Sequence, residues 1–174
     1  MFKGLTKRAQ KVLTILAQEE ARRYHSAELS PEHVLLSMVR DADSTGYRLL
    51  ESLKVDVTEL RLELEHCAAG RKGGFLLGDA PLSRRLKSML ETAAEEARLM
   101  DGEYIGTEHL VVAAARESGS LLEQYLSRYG VFYEQLRGTL KLLSAGQEDR
   151  RIREAARPSI QKTQTPTRRS VLGG

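Results

Sequence analysis

Two Glu-His pairs, Glu32-His33 and Glu108-His109, stand 76 positions apart in the tetrapeptides Ser30-Pro31-Glu32-His33 and Gly106-Thr107-Glu108-His109. No other polar pair suited to chemistry is repeated so closely. A carboxylate in the first turn of a helix interacts favourably with the helix dipole, typically by about 0.3–1 kcal/mol, so each glutamate has a purely structural use. A metal site is the sharper alternative. Adjacent residues on a helix point about 100° apart, however, and neither an HExxH motif nor a His pair four positions apart is present, so a metal-ligand set is not expected. His33 and His109 fall at the third helical position, where a partly buried, hydrogen-bonded imidazole is expected. His25 and His66 lack repeat counterparts and read as surface residues.

The elements that must position these pairs are themselves duplicated. Leu5 to Gly70 recurs as Leu82 to Gly146, and from Glu19 onward the register is a constant 76 positions. It aligns Glu19-Glu20-Ala21-Arg22 with Glu95-Glu96-Ala97-Arg98, Arg40 with Arg116, and Leu60-Arg61 with Leu136-Arg137. Such a repeat predicts two copies of one supersecondary unit related by a pseudo-two-fold axis. In each copy an apolar stripe at helical spacing (Leu5, Ala9, Val12, Leu13, Leu16, Ala17; Leu82, Leu86, Met89, Leu90, Ala93, Ala94) marks a first helix. Thr6 and Ser83 precede these stripes as N-cap candidates. Ser30-Pro31 opens the second helix of copy one, with Pro where its missing N–H costs nothing, and Thr107 is the candidate cap in copy two. Third helices are expected to end near Leu53 and Tyr129, and fourth helices at the C-cap candidates Gly70 and Gly146. The predicted fold is all-α: eight helices in one domain over residues 1–146, with repeat one at 5–70, a flexible connector at 71–81 and repeat two at 82–146. Phe75-Leu76-Leu77 in the connector are candidates to dock on the body.

Composition narrows the function. At 174 residues the chain is long enough to bury roughly two-thirds of its unfolded surface. Its 41% hydrophobic content includes no Trp, which suits a helical protein. No apolar run approaches the roughly 18 residues of a membrane span, and no signal-peptide core follows Met1-Phe2-Lys3, so a soluble, cytoplasmic protein is expected. Cys67 is the single cysteine, which excludes an internal disulfide. It is expected as a small core residue rather than a reactive thiol. Residues 147–174 hold seven basic and three acidic side chains, a net of +4 against +3 for the whole chain, so the body is near neutral at −1. That stretch, with Pro158 and Pro166, reads as a flexible basic tail. Nucleic-acid binding through its arginines is an alternative that lacks both a basic face on the body and interleaved aromatics. No phosphate loop, GxSxG elbow, GxGxxG or zinc-type Cys pairing occurs, so an enzyme is not expected.

Leu5-Thr6-Lys7-Arg8-Ala9-Gln10-Lys11-Val12-Leu13, Ala17-Gln18-Glu19-Glu20-Ala21, Pro31-Glu32-His33-Val34-Leu35-Leu36, Ala94-Glu95-Glu96-Ala97-Arg98 and Tyr104-Ile105-Gly106-Thr107-Glu108-His109-Leu110 resemble the double Clp N-terminal repeat, most of all that of ClpC-type Hsp100 unfoldases. The resemblance covers about residues 2–146. It implies an eight-helix docking domain carried by a AAA+ ring, which receives adaptors of the MecA or McsB type and passes tagged substrates toward a ClpP-type protease. It implies no cofactor in this stretch; ATP and Mg²⁺ belong to ATPase modules that these 174 residues do not contain. The sequence is thus expected to be an N-terminal domain of such a protein or a shorter relative of it. A stand-alone accessory of a Clp ring without a ligand pocket is the alternative within the binding class. The resemblance further implies that Glu32 and Glu108 help bind phosphoarginine. A carboxylate can take the guanidinium through two hydrogen bonds, while helix-start N–H groups after Thr6 and Ser83 could receive the phosphate. Copy one departs from the family pattern twice. Ser30-Pro31 replaces Gly-Thr, and its first helix is one residue longer around Val12–Ala17.

Overall fold

A computed structural model of the chain describes residues 4–70, 73 and 77–156. All regular elements among them are helical, and each copy builds four helical segments. Copy one contains α1 (Lys7–Lys11), a π-helical turn (Val12–Leu16) and α2 (Ala17–Arg23) as its first segment, followed by α3 (Pro31–Arg40), α4 (Thr45–Ser52) and α5 (Val57–Ala69). Copy two contains α6 (Arg84–Leu99), α7 (Thr107–Arg116), α8 (Leu121–Arg128) and α9 (Tyr133–Ala156). Hydroxyl or carboxylate caps start most of them. Thr6, Ser44, Asp56, Ser83 and Ser120 each accept the N–H three residues on, as the short polar side chains predict.

The extra residue of copy one has a structural outlet. Leu5 to Glu19 is one step longer than Leu82 to Glu95, and the surplus is taken up where the Ala17 N–H donates to the Val12 carbonyl, five residues back. A one-turn π bulge re-phases the helix. Val12 and Leu13 at its start and Ala17 and Ala21 after it all remain buried. Without it, one inserted residue would turn the later half of the stripe by about 100° toward water.

The core centres on α3 and α7, the two helices that carry the Glu-His pairs. Residues Pro31 to Val39 of α3 are buried throughout, as are Thr107 and His109 to Ala115 of α7. Beyond their polar first turns these helices are apolar around most of their circumference, unlike the one-sided first helices. Around them pack α2 and α5 in copy one and α6 and α8 in copy two, while α4 crosses onto α7. Gly46 permits that crossing: a Cβ there would lie 3.0 Å from the Thr107 carbonyl oxygen and from Val111.

Buried charges fasten each copy. The Glu96 carboxylate is 0% exposed and is held by Arg116 at 3.1 Å and by Arg137 at 3.0 Å. In copy one, Glu20 takes Arg40 at 2.7 Å and Arg23 at 3.5 Å. The repeated Glu20/Glu96 and Arg40/Arg116 positions of the sequence are therefore internal ion pairs, to which copy two adds Arg137.

Several sequence expectations change. Thr107 is not a cap: Gly106 is the N-cap residue of α7, and the Thr107 hydroxyl instead accepts the Gly46 N–H at 2.9 Å. Gly146 lies inside α9, which runs on to Ala156 and overrides the C-cap signal, whereas Gly70 does stand at the C-cap of α5. The chain divides into compact units at Met1–Leu142 and Leu143–Gly174, so that the later part of α9 falls in the second. The connector is fastened at its described end, where the Gln18 side chain both donates to and accepts from the Ala80 backbone and Arg22 pairs with Asp79 at 2.7 Å. Leu77 is exposed and does not dock; Phe75, Leu76 and the tail arginines beyond Ala156 lie outside the described residues. Cys67 is half-buried rather than core. None of the described helices is long and apolar enough to cross a membrane.

Deleting the exposed Thr14 should convert the π turn to regular α-helix and shift the melting temperature by no more than about 4–8 °C, the equivalent of ~1 kcal/mol. Deleting the exposed Glu91 in the same position of regular α6 should unfold the domain, and circular dichroism melts distinguish the two. Replacing both Arg116 and Arg137 by Met strands a buried carboxylate and should cost about 3–5 kcal/mol. Glu96→Met should cost less, because both arginines reach solvent; urea unfolding of the three proteins reads the difference.

Candidate functional site

Each Glu-His helix start is set against the first helix of the other copy. The Leu5 and Ile105 backbones pair as a short parallel bridge, with Thr6 N–H donating to the Ile105 carbonyl at 2.9 Å and Ile105 N–H to Gly4 at 2.6 Å. Leu29 and Leu82 pair likewise, with Leu29 N–H donating to Pro81 at 2.8 Å and Ser83 N–H to Leu29 at 2.9 Å. The exchange is reciprocal. It brings Glu32 of copy one beside Ser83 at the start of α6, and the Glu108 helix of copy two beside Thr6 at the start of α1.

The histidines have a shared and local task. His33 Nδ1 accepts the Ser30 N–H, and His109 Nδ1 accepts the Gly106 N–H, both at 2.9 Å. Each imidazole thus closes the N-terminus of its own helix, the part a Glu or Gln plays in a capping box. Nδ1 must be unprotonated to accept, which puts the remaining ring proton on Nε2. This is the hydrogen-bonded third-position role the sequence predicts, with both rings more deeply buried than expected.

Site one is built on Glu32, which is only 3% exposed. Its Oε1 accepts from the Arg85 guanidinium at 2.9 Å, and Arg85 also reaches Glu117 at 3.4 Å. Burial works against the charge on Arg85, but its hydrogen bond to Glu32, with Glu117 behind it, raises its proton affinity overall. Beside this pair an open groove of about 480 Å³ is lined by Ser26, Ser30, Gly73, Ser83 and Arg85, among others. Ser83 accepts the Leu86 N–H as a cap, so its own O–H remains to donate.

Site two has the same parts in another arrangement. The Glu108 side chain is 20% exposed, and its carboxylate lies 3.9 Å from His109 Nδ1. It folds back over its own helix start: a Cβ on Gly106 would stand 2.3 Å from Glu108 Oε2. Arg8, the counterpart of Arg85, is turned to Asp41 at 3.0 Å, and among the described residues no arginine pairs with Glu108. Thr6 accepts the Ala9 N–H as the α1 cap.

Glu32, Glu108, Thr6 and Ser83, the residues named from sequence, are brought together by the crossed backbone pairing as one pair per site. Arg8, Arg85, Asp41 and Glu117 were missed. The signal was available, since Arg8 and Arg85 recur 77 positions apart and Asp41 and Glu117 are acids 76 apart. Among the described residues no group of three His, Cys, Asp or Glu side chains is placed to hold a metal ion.

Burial lowers the proton affinity of His109 below the usual 6.5, against the pull of Glu108 and Glu96. The folded state therefore favours the neutral ring, and the stability it contributes is complete above about pH 6.5 and is lost as pH falls through the lowered value. Urea unfolding between pH 7.5 and 5 should show a loss of about 1 kcal/mol, the worth of one helix cap. His109→Gln, whose amide oxygen accepts the same N–H without titrating, should flatten that slope.

The family model for the Clp repeat (R) N-terminal domain matches residues 4–129. A ClpA homolog described as an ATP-dependent Clp protease ATP-binding subunit, from Cyanidium caldarium, is 34% identical over 140 residues, covering 80% of this chain and 16% of the relative. The chloroplastic chaperone protein ClpC of Pisum sativum is 35% identical over 130 residues, covering 75% of this chain and 14% of the relative. The chain thus spans about a sixth of the length of the curated relatives it matches. Among solved structures, the N-terminal domain of ClpD from Arabidopsis thaliana superposes with a TM-score of 0.62 at 22% identity, covering 84% of this chain and 97% of that one. The N-terminal domain of the ClpV1 ATPase from E. coli gives 0.67 at 20% identity, covering 83% and 88%. Duplicated four-helix copies, their crossed pairing, the family model and relatives above 30% identity lead to one assignment: this chain belongs to the Clp N-terminal repeat domain family.

Proposed function

We propose that this domain is the non-catalytic docking module of a ClpC-like ATP-dependent unfoldase, and that it receives adaptors of the MecA or McsB type and substrate proteins marked by phosphoarginine. ATP hydrolysis and passage to a ClpP-type protease belong to parts of such a protein outside this chain. The reading is supported by the relatives, whose names describe ATP-binding subunits of an ATP-dependent protease, and by a ClpV N-domain solved as a complex with a VipB peptide, which shares this fold at a TM-score of 0.63.

The observation that carries the ligand assignment is the reciprocal placement of a carboxylate at one helix start beside a hydroxyl-capped helix start of the other copy. A phosphoarginine side chain has a cationic plane at one end and a dianionic phosphoryl group on it. Glu108 offers the carboxylate for the first, and Thr6 O–H, with the helix it caps, faces the second. Glu32 and Ser83 form the equivalent pair. The resident Arg85–Glu32 contact favours the assignment, because a guanidinium already sits on that carboxylate.

Titration with free phosphoarginine by calorimetry or amide chemical shifts checks this. Glu108→Ala should weaken binding at least tenfold, the scale of one lost charge-assisted contact of about 1.5–3 kcal/mol. Wild-type affinity in the Glu32→Ala/Glu108→Ala double variant would exclude the assigned role.

A further inference from the structure

The two sites are equivalent in sequence position and unequal in state. In site one the arginine lies on the glutamate: Arg85 is 2.9 Å from Glu32 and 3.4 Å from Glu117. In site two the equivalent Arg8 has gone over to Asp41, the counterpart of Glu117, and Glu108 is partly exposed. The same guanidinium thus has two acids within reach, and the two copies display the two choices. The residue before the helix explains the difference. Gly106 has no Cβ, and the Glu108 carboxylate lies where one would be. Ser30 has a Cβ there, so Glu32 cannot fold back and extends to Arg85 instead.

We propose that Arg85 is a latch on site one: its guanidinium takes the place on Glu32 that an arginine-like ligand needs, and site one opens only when Arg85 turns fully to Glu117. The inference rests on the reading that these glutamates receive a guanidinium. It makes site two the working site of the resting domain and site one a reserve, and it makes Arg85 the residue that decides occupancy. The swing breaks no backbone hydrogen bond, since Ser83 continues to cap α6 and to donate its N–H to Leu29. It exchanges one charge-assisted contact for another, a small enough difference for a ligand to overcome.

Two measurements separate the latch from the ligand assignment. The first needs no ligand: thermal unfolding of Arg85→Met, Glu32→Gln and their double variant, beside Arg8→Met, Glu108→Gln and theirs. The first cycle should be non-additive and the second additive; additivity in the first overturns the latch. The second is titration with phosphoarginine. Wild type should bind one equivalent tightly and a second only weakly, Glu108→Ala one equivalent only weakly, and Glu108→Ala/Arg85→Met one equivalent tightly again, lost on adding Glu32→Gln. Arg85→Lys, which keeps the charge but not the planar group that contacts Glu32 and Glu117 together, should restore binding partly in the Glu108→Ala background and serves if Arg85→Met does not fold. Full binding by Glu108→Ala alone would show site one open and overturn the latch while leaving the docking role intact. No binding by any variant, with the first cycle still non-additive, would refute the phosphoarginine reading and reduce the Arg85–Glu32 contact to a structural ion pair, overturning the latch with it.

Discussion

The reciprocal backbone pairing of Leu5 with Ile105 and Leu29 with Leu82 sets the two copies against each other, and both candidate sites exist because of it. Each pairing joins the start of one copy's first helix to the loop that leads into the other copy's second helix. Neither copy is then complete alone: the groove beside Glu32 is walled by Ser83 and Arg85 from the other half of the chain. A functional unit assembled across a pseudo-two-fold axis always appears twice, and any local change in one copy appears as an asymmetry between two sites. That is the situation here, with a paired Glu32 and a partly exposed Glu108.

Charge is the second organising factor. The chain buries Glu20, Glu32 and Glu96 almost completely, and a buried carboxylate is tolerated only when its counter-charge and hydrogen bonds are supplied. Glu96 meets this condition with two arginines from two different helices and so fixes α6, α7 and α9 together. Glu32 meets it with Arg85, which itself remains a third exposed and has a second acid beside it. The same chemistry is therefore a fixed joint in one place and a movable contact in the other. Solvent access of the arginine, and the presence of an alternative partner, make the difference.

Length differences between the copies are absorbed locally. The residue that copy one carries in excess ends in a single π turn, and both halves of the first helix keep their apolar faces on the core. The departure at Ser30-Pro31 is less neutral. Pro at the first helical position starts α3 without wasting a donor, yet it removes the hydroxyl that Thr107 uses in copy two to hold Gly46 of α4. Substitutions at helix starts thus reach beyond capping: they choose which way the neighbouring glutamate extends and what the next helix can bond to.

The helical class, the duplication, the placement of both Glu-His pairs in first helical turns and the family resemblance were all legible along the chain, because they depend on periodicity, capping chemistry and motif identity. Thr6 and Ser83 were legible as caps for the same reason. Thr107 and Gly146 misled, since a hydroxyl before a helix and a glycine near its end are local signals that the α4 contact and the continuing α9 overrode. That Glu32 carries an arginine and Glu108, among the described residues, does not became visible with the folded structure alone. The outcome depends on side chains more than fifty positions apart in sequence, brought together by the crossed pairing, and on the space left by a single absent Cβ at Gly106. Distance along the chain carries no information about such a meeting, whereas packing fixes it.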